Sequence, residues 1–356
     1  MRYKSKLRAG DWVEVLSKEE ILRTLDNKGM VDHLPFMPEM FQYCGRRLRV
    51  FKRAHKTCDP PNGLGGRRLK GAVHLQDIRC DGQGHGGCQA LCLIFWKEAW
   101  LLKAEDNRRN ETEPESQRRS AIDPRPKEEG CTEADVWAHC QAAPQPTSCN
   151  GPTYICQSTQ LHDATGSWRW WDPRQYVEDV VSRNARLSEV LSAFLFFIYS
   201  HAAGAGIGLG SGMRWMYDRF QNLRGGPPYP WRTGKIPKGV ATPSARLNLQ
   251  PGEKVRVKSY SEILRTLDET MRNRGMYFDG EMVPFTDKSF HVHKRVEQII
   301  NEKTGKMMTL TSDAIILKNV TCQARYSKCR MFCSRSIFPF WREIWLERIG
   351  PGDHKV

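Results

Sequence analysis

A chain of 356 residues with 39% hydrophobic content is too long for a single core and apolar enough for two or three, which excludes a small stapled scaffold. Its 55 Lys and Arg against 40 Asp and Glu give a formal charge of +15, which predicts attraction to polyanions such as nucleic acid, phosphate-rich ligands or an anionic membrane surface. Twelve cysteines are too sparse for a disulfide framework, and "MRYKSKLRAGDWVEV" has no apolar secretory core, so the expected setting is the cytoplasm, with reduced thiols kept for ligation or chemistry.

The chain opens on a short alternating strand, with Trp12, Val13 and Val15. Ser17 followed three residues on by Glu20 predicts a capping box, and Ile21, Leu22 and Leu25 mark one face of the helix behind it. "RRLRVFKR" (46–53) alternates as a half-buried strand, "AVHLQDIRC" (72–80) is β-rich, and "FWKEAWLLK" (95–103) is apolar enough for a core strand. Residues 105–150 are expected to be a largely flexible linker, although Thr132 is a cap signal for a short helix in "CTEADVWAHC" (131–140). Residues 151–247 then form a helical insert, periodic from Pro173 and again from Met213, ending in a second linker, "GGPPYPWRTGKIPKGVATP" (225–243). The apolar run Ala193 to Tyr199 falls far short of the ~20 residues of a bilayer span, so a buried helix and no membrane span are expected. "GAGIGLGSG" (204–212) follows a helix and lacks a Lys-[Ser/Thr] ending, which excludes a phosphate loop and predicts a flexible break or close helix packing.

From residue 248 the first unit repeats. "GEKVRVKSYSEILRTLD" (252–268) matches "GDWVEVLSKEEILRTLD" (10–26) at an offset of 242, and "KSFHVHKR", "AIILKNVTC" and "FWREIWLER" follow in the same order. Two copies, 1–104 and 248–356, predict an α+β, mainly β protein. The opening Gly-[Asp/Glu]-x-Val-x-Val of each copy resembles that of an SH3-like barrel of the KOW type. The resemblance implies two SH3-like barrel repeats joined by the insert, and barrels of that type often bind nucleic acid or protein.

The duplication also selects ligands. Cys80, Cys88 and Cys92 recur as Cys322, Cys329 and Cys333 while the residues between them change, so the thiols are expected to bind metal and the intervening glycines and histidine to be dispensable. Cys58 is the expected fourth ligand of the first site, with His55, His85 and Cys44 as alternatives. The second site has Ile300 where the first has Cys58, so Cys156 or Cys131 in the insert, or His291 or His293, is expected to complete it. The set Cys131, Cys140, Cys149 and Cys156 is an alternative site of its own, with Cys140 and Cys149 more simply incidental. Wide, irregular spacing and a Gly-rich loop favour two iron-sulfur clusters, of the 4Fe-4S type, over zinc.

Three function classes follow: a scaffold or electron carrier with a redox partner, a redox enzyme with an open cluster position, and a zinc-stapled module that binds nucleic acid or protein. Cys88 as a nucleophile with His85 as its base is disfavoured because the second copy has Tyr326 and Ser327 near that place. The paired tryptophans 96/100 and 341/345 are expected in the cores, with Trp168, Trp170 and Trp171 as further stacking candidates. The basic set Arg46, Arg47, Arg49, Lys52, Arg53, Arg67 and Arg68 is too large to bury and is the expected polyanion face.

Overall fold

In the computed structural model, Ser17 accepts the Glu20 N–H while the Glu20 carboxylate accepts the Ser17 N–H at 2.9 Å, closing the box that starts helix α1 (Lys18–Thr24). Before it runs strand β1 (Trp12–Val15), with Val13 and Val15 inward. The structure describes residues 7–58, 66–104, 130–142, 151–206, 208–327 and 330–350; Cys149, Cys329 and all of the expected linker 105–150 except 130–142 lie outside them.

The chain divides into two compact units. The first comprises Met1–Cys88, Leu93–Asn184 and Ile300–Met307; the second comprises Gln89–Cys92, Ala185–Ile299 and Met308–Val356. One boundary between the units falls at Asn184, inside the expected insert 151–247.

In the first unit, β2 (Arg47–Arg53), β5 (Ala72–Arg79), β6 (Leu93–Lys97) and β7 (Leu101–Lys103) join β1 in an antiparallel sheet of order β6-β5-β2-β1-β7. Strands β3 (Lys56–Cys58), β4 (Gly66–Arg68) and β8 (Gly166–Trp168) make a second sheet of order β8-β4-β3. Helices α2 (Glu133–His139) and α3 (Arg174–Val181) complete this unit. Trp96 and Trp100 are fully buried; Trp100 meets Phe36 edge-on at 5.2 Å and donates its indole N–H to Thr24.

The second unit contains the paired helices α4 (Leu187–Gly204) and α5 (Gly210–Leu223), then β9 (Lys254–Val257) and α6 (Tyr260–Leu264). Strands β10 (Ser289–Arg295), β11 (Gln298–Ile300), β12 (Met307–Thr309), β13 (Ile315–Leu317) and β14 (Leu346–Arg348) follow, with a sheet of order β13-β10-β9-β14 and a hairpin of β11 with β12 whose segment Ile300–Met307 groups with the first unit. The register shift between Val50 and Lys52 in β2 recurs between Val292 and Lys294 in β10. Likewise Trp345 meets Phe278 at 5.2 Å and donates to Thr266, and the Arg53–Glu98 ion pair has its counterpart in Arg295–Glu343.

Three expectations need correction. Helix and strand are nearly equal, at 27% and 25%, so the chain is mixed α and β rather than mainly β, and its sheets include a half-barrel. The stretch 225–243 does not run free: Lys235 and Ile236 donate to the Leu264 and Leu267 carbonyls, and Tyr260 donates to Pro230 O. Helix α4 is not a buried helix either, for only 22% of its residues are buried.

Candidate metal centre

A carboxylate set in an apolar run begins the site. Glu39 follows Pro38 in the 3-10 turn Pro38–Tyr43, and the turn carries it inward until only 5% of the residue is exposed. Strand β5 delivers Cys80 at its end, and the loop after it folds back on itself, with Gly87 N donating to Gly82 O and Cys88 N to His85 O. Two of its glycines are obligatory. Gly82 has φ +79°, and a Cβ there would lie 2.1 Å from Cys88 O; at Gly86, with φ +61°, it would lie 2.2 Å from the Tyr154 hydroxyl.

The fold-back brings His85 onto Glu39. Both ring nitrogens of His85 face acceptors, Nε2 lying 3.1 Å from Ile155 O and Nδ1 2.7 Å from Glu39 Oε1. Cys80 Sγ lies 3.7 Å from the same oxygen, Gly84 N donates to it at 3.0 Å, and Glu39 Oε2 is buried without a hydrogen-bond partner. The sulfur, nitrogen and oxygen donors all lie within 4.8 Å of one another. At 2.7 Å a proton on Nδ1 makes the His85–Glu39 contact an ion-paired hydrogen bond, and a metal ion bound by the group would take that proton's place. Donors on one tetrahedral ion, bound at about 2.0–2.1 Å, stand about 3.3 Å apart, so exchanging the proton for a metal asks for a few tenths of an ångström.

Cys140 and Cys156 belong to the same neighbourhood. Burial, followed by the charges of Glu39 and Cys156, pushes the Cys140 thiol up to about 12, and Cys140 Sγ donates to Val136 O at 3.2 Å.

Only Cys80 and His85 of the expected ligands join this group, and among the described residues no other three metal-ligating side chains converge. Cys58 lies on β3 opposite Gly66, Cys88 Sγ accepts from Ile300 N at 3.4 Å, and Cys131 Sγ donates to Thr132 O. Cys92 groups with the second unit. His55 is drawn to Asp179 at 3.1 Å instead, beside the Lys56–Asp179 pair at 2.5 Å. His291 and His293 are exposed on β10, His293 against Phe338; Cys322 N donates to Ile337 O, and Cys333 is buried. With both His85 nitrogens engaged, none is left to serve Cys88 as a base.

Glu39 was missed by sequence reasoning, and its signal was the duplication: it matches Glu281 at the same offset of 242 that relates Cys80 to Cys322. At the third position the copies part, with Ser327 for His85. The glycines and histidine of the first loop are thus integral to it, contrary to expectation. Burial pushes the Glu39 carboxyl up, but the His85 hydrogen bond and charge, with backbone N–H donors, outweigh it and hold the group below its ordinary range. In the second unit Tyr326 N and Ser327 Oγ bond Glu281, yet burial dominates and the carboxyl stays raised.

The two carboxylates therefore act oppositely on stability. Glu39, depressed on folding, stabilises the first unit above the ordinary carboxylate pKa, and this is lost as pH falls through its folded value; Glu281, raised on folding, favours folding below that pKa and loses the contribution as pH rises through its folded value. Near neutral pH, Glu39→Gln is expected to cost about 1–3 kcal/mol, a deficit that shrinks in acid, whereas Glu281→Gln is neutral or stabilising. Denaturation curves recorded across the carboxylate range check this, and losses of one sign and size in both variants would contradict it.

The expected basic face is partly consumed by the fold. Arg53 pairs with Glu98 and Glu178, and Arg67 donates to Thr165 and the His162 carbonyl. Arg46, Arg47, Arg49 and Arg68 are exposed; Arg47 lies over exposed Trp12 at 5.3 Å, Arg68 over Trp168 at 4.9 Å, and Lys52 over Phe51 at 5.2 Å. Comparison of the chain with family models, curated proteins and solved structures yields no match.

Proposed function

We propose that the protein is a metal-stapled scaffold whose first unit binds one divalent ion of the zinc class through Glu39, Cys80 and Nδ1 of His85. The observation that carries this is the convergence of the Glu39, Cys80 and His85 donor atoms within 4.8 Å of one another, with the far nitrogen of His85 against a backbone carbonyl as in ligating histidines. Mixed sulfur, nitrogen and oxygen donors suit zinc, while an iron-sulfur cluster is held by thiolates, of which this site offers Cys80 directly and Cys140 and Cys156 nearby. Cys156 is the fourth ligand we favour, because the Cys140 thiol is already committed to Val136 O. The second unit, with Ser327 in place of the histidine, is a copy that has lost the site. Both units are SH3-like repeats in this proposal, and a thiol ligand favours a reducing setting such as the cytoplasm.

Glu39→Gln, Cys80→Ser and His85→Ala are each expected to weaken zinc binding by more than the roughly 10–100-fold that loss of a merely supporting residue costs. Cys88→Ala and Cys322→Ala leave it intact. Competition titration with a chromophoric chelator measures this, and unchanged affinity in Cys80→Ser would contradict the assignment.

The outer face of the first sheet favours polyanion binding as the scaffold's task. Arg47, Arg49 and Phe51 alternate outward on β2, and Trp12 lies opposite Arg49. Aromatic rings among arginines suit nucleic-acid bases and phosphates. DNA or RNA binding that does not weaken with salt, or that survives loss of both arginines, would contradict it.

A further inference from the structure

The α4–α5 pair leaves apolar surface that no part of its own unit covers. On α4, Leu187, Leu191, Leu195 and Ile198 follow one another at helical spacing, and the last two are 69% and 64% exposed. On α5, Trp215, Met216, Phe220 and Leu223 are likewise exposed, Trp215 at 66% and Leu223 at 84%. The opposite face of α4 is occupied: Phe196 packs on Tyr217, Tyr229 and Tyr326, and Tyr199 donates to Met213 O. Between the helices lies the Gly-rich stretch 204–212, which the metal-site proposal does not use.

Charge identifies the occupant. The pair carries two acids, and both are neutralised from elsewhere in the unit, Glu189 by Arg325 and Asp218 by Arg232. Arg214, Arg219 and Arg224 are left as its cations, with Arg214 over Tyr229 and Arg224 over Phe220. A second copy docked two-fold on this face would set these arginines against themselves, in a chain of net charge +15. Within the chain, residues 105–129 carry only Ala121 and Ile122 as apolar side chains besides prolines, too few to cover it. An apolar helical face rimmed by arginine, with an exposed tryptophan, has the chemistry of an element that lies in the interface of an anionic bilayer.

We propose that the α4–α5 pair docks the protein peripherally on anionic phospholipid surfaces, the exposed leucines and Trp215 entering the acyl boundary and the arginines meeting headgroup phosphates. The helix lies on the bilayer rather than across it, because its inner face remains packed on Tyr217, Tyr229 and Tyr326.

Flotation of the full chain with vesicles of phosphatidylcholine alone, or containing about one third phosphatidylserine, tests this. Binding to the anionic vesicles is expected, with blue-shifted tryptophan emission and loss in high salt. Leu195→Glu and Ile198→Glu should each lower the partition coefficient about tenfold or more, and Arg219→Ala and Arg224→Ala about fivefold each. These residues are exposed, so circular dichroism and thermal midpoints should match the parent. No binding to anionic vesicles, or equal binding to both kinds, would overturn the proposal. So would a dimer in sedimentation that Leu195→Glu dissolves, since the face would then belong to a second copy.

Discussion

Trp100→Ala is expected to destabilise the first unit by about 3–5 kcal/mol, the range for emptying a fully buried aromatic site. The indole is completely buried, meets Phe36 edge-on and donates to Thr24, so truncation leaves a cavity and removes one of the Thr24 hydroxyl's two hydrogen bonds, the other being its donation to Ile21 O. Trp345→Ala should cost the second unit a similar amount, because Phe278 and Thr266 surround that ring in the same way. Hydrogen exchange resolved by peptide separates the units, and a loss under about 1.5 kcal/mol in either would show that the cores do not close around these rings.

Asp179→Ala is the second large effect. Asp179 is wholly buried and joins Lys56 at 2.5 Å and His55 at 3.1 Å, so its removal strands an ammonium group away from water at a cost of about 3–5 kcal/mol. The double variant Asp179→Leu with Lys56→Met should regain most of that loss, since removing both charges removes the desolvation penalty as well. A double variant no more stable than Asp179→Ala would mean that Asp179 acts through some other contact.

What was legible in the sequence was local. The capping boxes at Ser17 and Ser259, the inward valines of β1 and β9 and the buried tryptophans follow from short-range pattern, and the structure shows each of them. The site was half legible. Cys80 stood out by its recurrence, but Cys88 and Cys92 recur too, and linear spacing says nothing of direction: the fold-back at Gly82 turns His85 inward while Cys88 meets Ile300 N. Glu39 was hidden because a single carboxylate after proline reads as a surface turn, and only tertiary burial shows otherwise. The exposure of α4 was equally unreadable, since an apolar helix looks the same in sequence whether its neighbours cover it or leave it bare.

The most direct test of the metal centre is the metal and sulfide content of the full chain purified without oxygen. The account predicts one zinc-class ion per chain, no acid-labile sulfide and no visible absorption, with the ion lost from Cys80→Ser while its secondary structure is kept. Iron with stoichiometric sulfide, two equivalent centres per chain, or a metal-free protein that fails to take up zinc would contradict it.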